Sequence, residues 1–215
     1  MANTKKATEE MSIEIPGIKL KRISLKLVGD SPLIVHAWSE KAKKMILDKQ
    51  MKKASTGKDA KRPMVDFAEA LYWLSEKPNF DEMTDEEIMK SVQKGRFGFP
   101  VLAFKASAID AAYQQGAVEK KTTLRGAFHI AGEFAEIHGK PPVIREDMVR
   151  IGMGTADIRY RPEFKEWSVT LDISYNSQAI SAEQITNVLN IGGFAVGVGE
   201  WRPAKDGSFG TYHVE

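Results

Sequence analysis

The chain has 215 residues, 42% of them hydrophobic and 28% charged, a composition that suits one packed domain and is too apolar for wholesale disorder. It contains no cysteine, which excludes a disulfide framework, a thiolate zinc site and a cysteine nucleophile. The formal net charge of +2 names no partner by itself, so charge has to be read by position.

Residues 1–17 are polar and charged, without an apolar signal core, and are expected to form a flexible arm ahead of one domain over 18–215. No apolar run is long enough to span a bilayer, which points to a cytoplasmic protein with no membrane partner. Residues 18–28 read as a strand, with Ile23, Leu25 and Leu27 alternating with Ser24 and Lys26. Gly29, Asp30, Ser31 and Pro32 break it. A second apolar piece, 33–38, follows, and Ser39 is a plausible N-cap for a helix to about residue 53, with Glu40 in its first turn. Residues 41–62 hold nine basic and two acidic side chains, a local charge of +7, and their second half reads as a flexible loop.

Phe67, Leu71 and Leu74 predict a helix over 64–74. Residues 76–87 hold six acidic side chains and one lysine, a local charge of −5, and Thr84 is placed to cap a short helix through Val92. The segment 95–100 (GRFGFP) reads as a turn, and the alanine-rich 104–115 as an amphipathic helix. Residues 120–150 have some strand character, broken at Pro141-Pro142, and read as an excursion from the core. Residues 155–161 and 166–175 predict two strands joined by a turn at Pro162-Glu163. In the second, Trp167, Val169, Leu171 and Ile173 alternate with polar residues. Ser181 and Gln184 have capping-box spacing for a helix that ends near Ile191 at Gly192-Gly193. A glycine-rich stretch, a turn at Asp206-Gly207 and a strand over 209–214 close the chain.

With the excursions set aside, the order is β-α-β-β-α-β, the ferredoxin-like arrangement of an α+β protein. The core then carries helical and loop insertions at about 33–100 and 117–152.

The glycines between the second core helix and the last strand carry the functional reading. Gly197 and Gly199 can bring backbone N–H groups close to an anion. Arg202 and Lys205 would add charge, and Trp201 a stacking face. The alternative is that Gly192 and Gly193 cap a helix and the others permit tight packing.

The run Gly192-Gly193-Phe194-Ala195-Val196-Gly197-Val198-Gly199-Glu200-Trp201-Arg202, with the strand before it, resembles the RAMP superfamily, Cas7-like members in particular. That superfamily supplies backbone and RNA-processing subunits of CRISPR complexes. The sequence also resembles proteins of bacteriophage genomes in its general style. The resemblance implies a non-catalytic, oligomerising protomer lined up along single-stranded nucleic acid, RNA favoured over DNA. Phosphates would be held by Lys41, Lys43 and Lys44 and by Arg125, Arg150, Arg159 and Arg161. The bland reading of the lysine-rich helix is a solvated face, as charge runs usually are. The acidic segment is suited either to pairing with a neighbour's basic segment or to solubility alone.

Two other classes stay open. His36 follows the first strand, where RNA-cleaving members of the resembled superfamily keep a catalytic histidine; a metal-independent endoribonuclease would use it as a general base. A viral or phage assembly protein would use the opposed charged segments to join copies. His129 and His138, with Glu133 and Glu136 between them, are ligand types without a recognised metal spacing. No P-loop, dinucleotide fingerprint or G-x-S-x-G occurs, so no cofactor is expected.

Overall fold

The computed structural model describes residues 17–53, 60–151 and 154–215. Most of the expected N-terminal arm lies outside them. The chain is α+β, with a principal antiparallel sheet in the order β10-β1-β9-β4. Its members are β1 (Leu20–Gly29), β4 (Phe128–Ile130), β9 (Trp167–Asn176) and β10 (Tyr212–Val214). A short strand, β6 (His138–Gly139), also pairs with β9.

Period-two patterning sets the register. Leu25 lies opposite Leu171, and Leu27 opposite Val169. Trp167, Val169, Leu171, Ile173 and Tyr175 are buried, whereas Thr170 and Asp172 between them are exposed. The apolar face meets α4 (Val101–Gln114) and α6 (Ala182–Ala195), whose Phe104, Ala108, Ile185 and Leu189 belong to the same core. Ser181 caps α6, its hydroxyl accepting from the Gln184 N–H while the Gln184 side chain accepts from the Ser181 N–H.

The glycine pair expected to end this helix lies inside it. A Cβ on Gly192 would stand 2.7 Å from the Ala108 nitrogen, and one on Gly193 1.9 Å from the Tyr212 carbonyl oxygen. Their lack of a side chain lets α6 lie directly on α4 and β10.

A second sheet has the order β2-β8-β7, from β2 (Leu33–Ile34), β7 (Val143–Ile151) and β8 (Thr155–Phe164). This corrects the expected pairing. Residues 155–161 are a strand, but they join β7 and β2, and β4 occupies the place beside β9. The proline read as a turn lies within β8: Pro162 has no N–H to give, but its carbonyl accepts from the Val35 N–H at 3.0 Å. The turn falls instead at Lys165-Glu166.

The segment around GRFGFP also differs from expectation, for Gly98–Pro100 forms β3 and pairs with β5 (Phe134–Glu136). The remaining helices are α1 (Glu40–Gln50), α2 (Pro63–Glu69), α3 (Asp85–Lys94) and α5 (Lys121–Arg125). Ser39 caps α1 and Thr84 caps α3. Among the described residues no helix is long and apolar enough to cross a membrane.

Candidate nucleic-acid interface

Beyond Ile34 the chain turns away from β8, and a groove of about 400 Å³ opens along the strand edge that β2 leaves uncovered. Its walls are the segment 36–39, α1 through Ala42 and Ile46, and α2 through Asp66 and the C-cap residue Ala70. Lys61, Arg159 and Tyr160 line it, and Trp38 stands on it with 65% of its surface exposed. An exposed indole offers a flat apolar face of the kind on which bases stack, and cations flank it. Asp157 orders those cations: Lys61 pairs with one of its oxygens, and Arg159 lies 3.7 Å from the other.

At the end of the groove lies a network of charges withdrawn from water. Arg161 is only 4% exposed. It reaches Asp147 at 3.1 Å and Glu200 at 3.5 Å, and its Nε–H donates to His36 Nδ1 at 3.4 Å. Arg145 pairs with Asp147 at 2.8 Å and with Glu163 at 3.2 Å, and lies over the Phe209 ring. Burial pushes the Asp147 carboxyl up, but hydrogen bonds from Arg145, Arg161 and the Trp201 indole outweigh it and hold the group below the usual carboxylate range. The His36 imidazole is held below its ordinary value, first by burial and then by the Arg161 charge, with Glu200 opposing and Arg159 adding.

The C-terminal loop sets the position of Glu200. Gly197 and Gly199 take φ of +65° and +77°, a left-handed turn that favours glycine. The turn presses the loop onto β2: the Glu200 N–H donates to the Ile34 carbonyl at 2.9 Å, and the Val198 N–H to Gly210 at 2.9 Å. The Gly197 N–H donates to the Gly192 carbonyl at 2.8 Å. These three donors serve the fold, and the loop acts as a strap beneath the site. A second cavity, of about 260 Å³, lies between this strap and α4, lined by Tyr72, Phe99, Asp110 and Arg202. His36 lines both cavities.

The residues singled out from sequence divide accordingly. Arg159 and Arg161 meet at His36, and the strap brings Gly197, Gly199, Trp201 and Arg202 to the same end of the molecule. Arg202 Nη1 donates to the Gly199 carbonyl at 2.9 Å. Lys43 and Lys44 are exposed on α1 but do not line the groove, and Lys43 pairs with Glu40 at 2.7 Å. The Lys41 side chain lies outside the described residues. Arg150 is exposed on β7 near the β7–β8 tip, where Ile151 pairs with Thr155. Lys205 is exposed at the end of a short 3-10 turn. Arg125 belongs to a separate basic surface with Lys120 and Lys121.

His129 contacts Lys105 and Glu136 is held by Arg96; among the described residues no three His, Asp or Glu side chains converge as a metal site.

Trp38, Lys61, Asp147 and Glu200 were not marked as site residues from sequence. Arg145 and Asp147 carried a usable signal, opposite charges two apart on one strand face. Lys61 was marked only as one of nine basic residues in the +7 run over 41–62, whose second half read as a loop.

No family model matches the chain, and no curated protein sequence matches it. The chain is similar to the crystal structure of Cmr6 from Pyrococcus furiosus, at 13% identity, over 93% of this chain and 100% of that one, with a TM-score of 0.37. A likeness at that score carries no argument about fold or function.

Proposed function

We propose that this protein binds single-stranded nucleic acid, RNA in preference to DNA, in the groove along β8, without cleaving it. The observation that carries the reading is the Trp38 indole, exposed at the groove wall beside Lys61, Arg159 and His36. Such a groove accepts any sequence, because every base has a face to stack and every linkage a charge to neutralise.

The strand order β10-β1-β9-β4, with α4 following β1 and α6 following β9, supports a ferredoxin-like core. In that reading β4 is the second core strand, and the inserted β7–β8 hairpin builds the groove. Copies align along the strand by self-association. Met45, Leu47 and Met51 on and after α1 are each more than half exposed, an apolar surface of the kind that marks an interaction site. Lys43, Lys44 and Lys49 surround it, and the six exposed carboxylates of the 76–87 segment offer a second copy the complementary charge.

Fluorescence anisotropy with labelled oligouridylate and oligothymidylate at two salt concentrations tests the reading. Binding that weakens steeply with salt is the expected result. No binding of either strand at low salt would end it.

A further inference from the structure

The assignment of His36 rests on the strand-binding reading and goes beyond it, to the proton on the imidazole and the group that proton meets. The Arg161 guanidinium is fixed from two sides, by Asp147 and by Glu200, and its Nε–H points at His36 Nδ1. A guanidinium only donates, so Nδ1 must offer its lone pair. Glu200 competes for the same nitrogen, since its carboxylate would accept a proton from Nδ1. It lies 4.0 Å away, beyond hydrogen-bond reach, against 3.4 Å for Arg161. The arginine therefore fixes the tautomer, and Nε2 carries the proton.

The ring is partly open, with 29% of its side chain exposed, and it lines both cavities. We propose that His36 presents Nε2–H as a fixed donor to a phosphodiester oxygen of the bound strand, with the Arg159 guanidinium beside it. A ring held this way is a poor general base, because one nitrogen bears the proton and the other is occupied by a cation. The groups that face it are Arg159 and Arg161 from β8 and Glu200 from the strap. His36 is thus a binding residue that passes the strand from the groove toward the second cavity.

Substitutions that mimic one nitrogen at a time separate the roles. Glutamine places an amide N–H near the Nε2 position, and asparagine near Nδ1. With a labelled oligouridylate of about 20 nucleotides, a length that exceeds a single-module site, His36→Gln is expected to bind within about twofold of the wild type. His36→Asn and His36→Ala should each lose about tenfold, the worth of one hydrogen bond to a charged acceptor. Wild-type affinity in both His36→Asn and His36→Ala would overturn the assignment while leaving strand binding intact. Cleavage of the oligonucleotide by the wild type, lost in His36→Gln, would overturn it in favour of catalysis. No binding by the wild type would remove the strand-binding reading and this assignment together. Long-range proton–nitrogen correlation spectra of the unbound wild type read the tautomer directly. A proton on Nε2 is the expected result, and one on Nδ1 would contradict the geometry.

Discussion

The two larger sheets of this molecule solve opposite problems. The principal sheet buries an unbroken apolar face, Leu27, Val169, Leu171 and Ile173, against α4 and α6, and leaves Ser24, Lys26, Thr170 and Asp172 in water. The smaller sheet takes Arg161 and Asp147 out of water and surrounds them with further charge. Burying charge contributes little net stability, because desolvation offsets most of the Coulomb attraction. Its return is geometry: a guanidinium that cannot turn, and therefore an imidazole whose proton is assigned. Stability is concentrated in the first sheet, and the proposed strand recognition in the second.

The contrast predicts different responses to mutation. Asp147→Ala would strand Arg145 and Arg161 without their shared carboxylate and should cost about 3–5 kcal/mol. A paired change of Asp147 and Arg161 to apolar residues of similar volume should cost far less, while weakening strand binding by no more than the roughly tenfold expected of His36→Ala. Urea unfolding checks both; equal losses in the single and paired variants would mean that the network is ordinary packing. Leu171→Ala in the principal sheet should cost about 2–5 kcal/mol through the cavity it leaves, and should leave the affinity of the folded protein unchanged. Trp38→Ala should do the reverse, leaving the unfolding midpoint in place and reducing affinity by about 1–3 kcal/mol for a lost stacked base.

The smallest effect concerns pH. The folded imidazole of His36 titrates below its ordinary value of 6.5, so the unfolded chain takes up that proton first as pH falls. The contribution of His36 is therefore complete above pH 6.5 and is lost as pH drops through the window down to the folded value. In that window the wild type should lose stability faster than His36→Gln, a difference that unfolding curves at matched pH values would show.

How far the sequence disclosed this arrangement follows the same division. Strands β1 and β9 and helices α1, α3, α4 and α6 were legible because burial on one face writes a period into the chain, and Ser39, Thr84 and Ser181 mark three of the starts. Strands β4, β5 and β6 have two or three residues each, too few to carry a period. Strand β7 showed only some strand character because its inward side carries Arg145 and Asp147 in place of an apolar period, and Asp147 meets Arg161 of another strand. The glycines misled in one respect: Gly192 and Gly193 answer to helix packing, and only Gly197 and Gly199 to turn geometry. His36 and Arg161 are 125 positions apart, and no local pattern joins them.

The choice between the two sheets as the binding surface has a direct measurement. A photoreactive oligonucleotide cross-linked to the protein, followed by mass spectrometry of the peptides, reports which surface the strand touches. Adducts on the segments that carry Trp38, Lys61 and Arg159 are the predicted result. Adducts confined to the open face of the principal sheet, around Arg22, Lys26 and His129, would contradict the account.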